Sequence, residues 1–141
     1  MIAPTNDHAR PVSCDLPSAE RPRVLIVEDD ALLSLELAQI LSEAGFVAIG
    51  PARSVAQALE LTHRTGCQAA VLDIGLRLGT SEPVARELKD RGTPFVALSG
   101  YPQSRLPSIF TEAPFIAKPL NPELLIAELR RCVSRGRAKG L

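Results

Sequence analysis

The chain has 141 residues, 45% of them hydrophobic and 23% charged, the composition of an ordinary globular domain with room for about one core. No Trp, one Tyr and four Phe leave little aromatic surface for a base-stacking platform, so the core must be aliphatic. Sixteen basic and sixteen acidic residues balance to a formal charge of zero, which removes any whole-chain pull toward nucleic acid or anionic membrane.

The distribution of charge is less even. Arg130, Arg131, Arg135, Arg137 and Lys139 crowd the last twelve residues without one acid, leaving 11 bases against 16 acids elsewhere. Residues 134–141 are therefore expected to be a solvated basic tail. At the other end, residues 1–22 interleave Pro4, Pro11, Pro17 and Pro22 with polar residues and follow neither a strand nor a helix period, the pattern of a flexible leader. That opening has no apolar signal core, and no segment approaches the roughly 18 apolar residues of a membrane span. Cys14, Cys67 and Cys132 lie far apart and fit no short metal-ligand spacing, so reduced thiols in a cytoplasmic protein are expected.

Between leader and tail, apolar runs alternate with helix-length segments. RVLIV from Arg23 reads as a buried strand ended by Glu28, Asp29 and Asp30. Asp30 is either a third acid beside the other two or, as its place before an apolar periodic run favours, the cap of a helix through ALLSLELAQILSEAG, with Leu32, Leu35, Leu37, Ile40 and Leu41 taken to form one broad apolar face and Gly45 its left-handed cap. FVAIG follows as a second strand, and Ser54 caps a helix from Val55 to Arg64. CQAAVLDI is a third strand ending at Asp73, Leu76 to Thr80 a loop, and Ser81 with Pro83 the start of a helix ending near Arg91 and Gly92. PFVALS makes the fourth strand, APFIA the fifth, and NPELLIAELRRCV the last helix, capped by Asn121 with Pro122 at its first position. The intervening YPQSRLPSIFTEAP carries Pro102, Pro107 and Pro114, which restrict its helix to one or two turns around Ser104 to Phe110.

Five short apolar strands separated by helices predict an α/β fold with a parallel sheet covered on both faces. In such sheets ligands bind at the carboxyl edge, where the strand ends converge. Glu28 and Asp29 end the first strand, Asp73 the third, Ser99 the fourth and Lys118 follows the fifth. Gathered carboxylates repel one another and suit a hard divalent ion such as Mg²⁺, which keeps waters and accepts phosphate oxygens. Lys118 supplies a mobile positive charge and Ser99 a hydroxyl donor, so the group is fitted to neutralise a transferring phosphoryl group while Asp73 acts as the nucleophile.

The motifs VLIVEDD, VLDIGL, LSG and KPL, in that order and spacing, resemble those of the response-regulator receiver domains of bacterial two-component signalling, over residues 23–133. The resemblance implies a flavodoxin-like (βα)5 three-layer sandwich with strand order 2-1-3-4-5, here with helix four shortened. It also implies that Asp73 is the phosphoacceptor, with Ser99 and Lys118 completing the catalytic group. Asp29 and Asp73 would ligate Mg²⁺ directly, or Mn²⁺ in its place, with Glu28 acting through water and the Gly75 carbonyl as a further ligand. The Lys118–Pro119 bond would be cis. Phe115 matches the aromatic switch position that responds to Ser99, while Gly75 and Tyr101 match positions flanking the path of the hydrolytic water and so tune the lifetime of the phosphorylated state. His8 and His63 match no phosphodonor role.

The implied function is that of a stand-alone response regulator rather than a turnover enzyme. It would accept a phosphoryl group from a sensor histidine kinase or a histidine phosphotransfer protein and act on an unknown downstream protein by altered contacts. No output domain follows the last helix, so no direct DNA binding and no membrane contact are expected, and the protein would be a monomer or a weak dimer. Leu120 departs from the aromatic residue the family usually carries after Lys-Pro. Rival readings are a phosphorylation-independent adaptor, a small Mg²⁺-dependent phosphatase and a nucleotide-binding module. The phosphatase lacks its second acid, since Ile74 and Gly75 follow Asp73, and no G-x-G-x-x-G follows the first strand.

Overall fold

The computed structural model describes residues 21–77, 79–100 and 106–140. Twelve elements follow in chain order: β1 Arg23–Val27, α1 Ala31–Glu43, β2 Val47–Ala52, α2 Val55–Arg64, β3 Ala69–Asp73, β4 Gly75–Leu76, β5 Gly79–Thr80, α3 Glu82–Asp90, β6 Phe95–Ser99, α4 Ser108–Thr111, β7 Phe115–Ala117 and α5 Pro122–Gly140. The main sheet is parallel with order β2-β1-β3-β6-β7, which is 2-1-3-4-5 once the two-residue strands β4 and β5 are set aside.

Period-two geometry sorts the strand residues into two cores. Val24, Ile26, Ala69, Val71, Val96 and Leu98 face α1 and α5, where they meet Leu37, Leu41, Leu125, Leu129 and Cys132. Their chain neighbours Leu25, Val27, Ala70, Leu72, Phe95 and Ala97 face the other way onto Ala58, Val84, Ala85, Leu88 and Phe110. A strand buried on both faces needs no polar alternation, which is why each reads as an unbroken apolar run. Leu120 packs against the first core, so the missing aromatic still leaves an apolar contact there.

Local signals start the helices. Asp30 Oδ1 accepts the Leu33 N–H at 2.9 Å, Ser54 Oγ the Gln57 N–H at 3.1 Å, and Asn121 Oδ1 the N–H groups of Glu123 and Leu124 at 3.0 and 3.2 Å. Ser81 stands before α3 as expected, but its side chain makes no capping bond. Gly45, at φ 95°, ends α1 in the left-handed conformation.

Four sequence expectations need correction. Leu32 and Leu35 do not share the buried face of α1: they are 77% and 65% exposed, and the buried positions are Ser34, Leu37 and Leu41. At about 100° per residue, Leu32 and Leu35 lie on the far side of the helix from Leu37. Ser34 tolerates burial because its hydroxyl donates to the Ala31 carbonyl at 2.9 Å. The second strand extends past Gly50 to Ala52, through a cis Gly50–Pro51 bond and a register shift opposite Leu25 to Val27. A Cβ on Gly50 would lie 2.7 Å from Ala52 N, so only glycine fits at this φ of 99°.

The segment read as a loop after Asp73 is a small antiparallel hairpin, pairing Gly75 with Thr80 and Leu76 with Gly79. Finally, α5 continues to Gly140 instead of stopping near Val133, so the basic stretch extends a helix. Its acid-free sequence suits a helix C-terminus, where cations complement the macrodipole. Residues 1–20 of the expected leader, with Cys14 and His8, and Tyr101 lie outside the described residues. Among the described residues no helix is long and apolar enough to cross a membrane, and Cys67 and Cys132 are free thiols whose pKa values burial pushes up.

The short α4 agrees with the proline pattern: it is a single turn beginning directly after Pro107. Phe110 anchors it, fully buried and edge-on to Phe95 with ring centroids 6.2 Å apart. With one turn of helix to close the gap, Phe110→Ala is expected to cost about 3–5 kcal/mol, read as a lowered urea midpoint with an unchanged m-value.

Candidate phosphoryl and metal site

Parallel pairing carries the polar strand ends to one edge. The Glu28 N–H donates to the Ala52 carbonyl at 2.9 Å, the Ile74 N–H to the Leu98 carbonyl at 3.0 Å and the Lys118 N–H to the Ser99 carbonyl at 2.9 Å. These ladder bonds hold the ends of β1, β3, β6 and β7 level. Residues from Glu28 to Lys118 thereby become neighbours.

One oxygen from each of Glu28, Asp29 and Asp73 lies within 4.8 Å of the others. Glu28 is wholly buried and Asp73 nearly so, while the Asp29 side chain keeps 16% of its surface. Lys118 Nζ donates to Asp73 Oδ2 at 3.0 Å and lies 3.5 Å from Glu28 Oε1. The cis Lys118–Pro119 bond is present, as the resemblance implies. Ser99 is buried at the end of β6, and Phe115 opens β7 half-buried against the second core. Gly75 lies two residues beyond Asp73, at the start of the hairpin.

Burial, followed by the neighbouring Asp73 charge, pushes the Glu28 carboxyl up to about 7, although the Asp30 N–H at 3.1 Å from Oε2 and Lys118 act the other way. On Lys118, burial favours the neutral amine, but the hydrogen bond and charge of Asp73, joined by Glu28, outweigh it and raise its pKa. Glu28 Oε1 is buried and has no hydrogen-bond partner. A desolvated carboxylate oxygen that has a cation at 3.5 Å but no hydrogen bond, set in an all-oxygen cluster, is what a divalent cation satisfies, so the residues present fit such an ion.

Sequence reasoning missed one participant. The Arg77 N–H donates to Asp29 Oδ2 at 2.7 Å, and its Nε lies 4.0 Å from the same oxygen. Only the hairpin turn brings Arg77 back over the end of β1, and no periodicity in that segment announces the turn. His63 is engaged elsewhere: its Nδ1 lies 2.6 Å from Arg91 Nη2 in a contact between α2 and α3.

No protein-family model matches the chain. The transcriptional regulatory protein PdtaR of Mycobacterium tuberculosis is 30% identical over 127 residues, which take in 87% of this chain and 62% of that protein. A CheY-like response regulator receiver domain protein from Methanospirillum hungatei superposes with a TM-score of 0.76 at 24% identity, over 85% of this chain and 99% of that one. The chain has the fold of a response-regulator receiver domain. A sensor protein from Polaromonas sp. JS666 shares the fold at a TM-score of 0.73 and 28% identity, over 82% of this chain and 98% of that one. The chain thus spans less than two thirds of the length of the curated relative it matches and nearly all of the two solved chains.

The strain at Glu28 has a measurable sign. A carboxyl that keeps its proton to about 7 when folded, but ionises near 4.5 when unfolded, contributes most stability below 4.5 and loses it as pH rises through 7. In EDTA at pH 8, Glu28→Gln should therefore raise the Tm of the protein by roughly 2–6 °C, with little gain at pH 5. Thermal melts with added Mg²⁺ should show the variant losing most of the metal-induced rise.

Proposed function

We propose that this receiver accepts a phosphoryl group on Asp73 from the phosphohistidine of a sensor kinase or phosphotransfer protein, and that it signals through altered protein contacts. The observation that carries this reading is the Asp73 carboxylate at the tip of β3, 3.0 Å from Lys118 Nζ and within 4.8 Å of Glu28 and Asp29 oxygens. An Asp73 oxygen attacks phosphorus while the phosphorus–nitrogen bond of the donor breaks, and the leaving imidazole takes up a proton. Lys118 exchanges its Asp73 contact for a phosphoryl oxygen, and the Ser99 hydroxyl donates to another. Mg²⁺, held by Asp29, Asp73 and the Gly75 carbonyl with Glu28 behind them, supplies neutralising charge when bound.

The switch follows from the same exchange. As Ser99 turns toward the phosphoryl group it vacates space beside β7, and the half-buried Phe115 moves in, changing the surface that partners meet. Mg²⁺ is favoured over softer metals because every donor is oxygen.

Acetyl phosphate with Mg²⁺ should add one phosphoryl group by intact mass, and Asp73→Asn or EDTA should reduce labelling by at least about 100-fold. Undiminished labelling of Asp73→Asn would reject the assignment. Gly75 offers no side chain to orient a hydrolytic water, and Tyr101 is assigned a shielding role over the phosphoryl group. Phosphate release should therefore quicken severalfold in Gly75→Asn and in Tyr101→Ala, followed by phosphate detection on purified phosphorylated protein.

A further inference from the structure

Each carboxylate of the centre has an intramolecular cation. Lys118 serves Asp73 and Glu28, at 3.0 and 3.5 Å, while Arg77 serves Asp29. The two cations are held differently. Lys118 is mostly enclosed, with 29% of its side chain exposed, whereas the Arg77 side chain is 84% exposed and touches Asp29 only at the 4.0 Å limit of an ion pair. The Arg77 backbone N–H, in contrast, is bound at 2.7 Å and fixed by the hairpin that follows Asp73.

These two contacts act in opposite directions on a cation at Asp29. The N–H occupies one lone pair of Oδ2 and orients the carboxylate, leaving its other lone pairs for an ion, in the way ligating carboxylates are held by hydrogen bonds behind them. The guanidinium, always charged, repels a divalent ion arriving at the same oxygen. It also has somewhere to go. The side chain is free to swing outward into solvent, at the mouth of a cleft of about 640 Å³ that Arg77 lines together with Asp29, Arg53, Ser54 and Val55.

We infer that Arg77 is a positioning residue that sets the metal affinity of the centre: its main chain orients Asp29, and its exposed side chain competes with the divalent ion and swings out into solvent when the ion binds. The inference rests on the metal reading given above. It makes affinity depend on salt, because an exposed charge is screened and a backbone hydrogen bond is not.

The test is Mg²⁺ titration by calorimetry of the whole chain as wild type, Arg77→Gln, Arg77→Lys and Arg53→Gln, at low salt and in 0.5 M salt, with EDTA melts confirming that each is folded. Arg77→Gln keeps the N–H and removes the charge, so it should bind Mg²⁺ about threefold to tenfold more tightly at low salt, with the gap closing to less than about twofold at high salt. Arg77→Lys and Arg53→Gln should stay within about twofold of wild type. Unchanged or weaker binding by Arg77→Gln, a gain indifferent to salt, or an equal gain in Arg53→Gln would each overturn the role of Arg77. Those results would leave the metal reading standing, whereas a wild type that takes up no Mg²⁺ would overturn both.

Discussion

Three carboxylates within 4.8 Å of one another, two of them buried, are held together against their own repulsion, and much of the architecture can be understood as the means of holding them. Unpaired charges out of water are costly, and here the cost shows as the upward pull on the Glu28 proton affinity. Lys118 relieves part of it. A pair of buried apolar layers beneath the site supplies the rest of the stabilisation, since hydrophobic burial is non-directional and can be gathered anywhere in the domain. The site is thus a local liability carried by a well-packed sheet, which is the usual relation between strain and function.

The sheet does more than support the cluster. Because its strands are parallel, their carboxyl ends all emerge on one edge, and because alternate residues serve opposite cores, each strand is anchored on both faces. A strand so anchored cannot slip by one residue without exchanging its two apolar sets between the cores. Asp73 is therefore held opposite Leu98 and Ser99 opposite Ala117 with little freedom to drift. By contrast, the elements around the edge are short: the hairpin strands have two residues each and α4 four. Strands held in strict register thus lie beneath short connections at the edge that carries the cluster.

The charges around the cluster also divide by mobility. Lys118 follows a strand and is largely enclosed, whereas Arg77 sits on the hairpin and reaches into solvent. A cation near the surface is screened and loses little on departing, while one tied to two buried carboxylates does not leave without a replacement charge. The two sides of the site are therefore unequal in how readily they yield to an incoming ion or phosphoryl group.

The sequence by itself determined the five strands, the placement of four helix starts, the shortness of α4 and the identity of the acids and the Lys at the sheet edge. Those features depend on residue type within a few positions: apolar runs, Asp30, Ser54 and Asn121 as caps, and prolines that remove amide donors. Tertiary structure alone decided which face of α1 is buried, because Leu32 and Leu35 are as apolar as Leu37 and only the position of the sheet selects among them. It alone decided that α5 runs on through the basic stretch, where composition suggests solvated chain and helical continuity prevails. The Arg77 contact belongs to the same class. Forty-eight residues separate it from Asp29, the bond is made by a backbone amide that every residue but proline carries, and no side-chain pattern can mark a partner chosen by the fold of a hairpin.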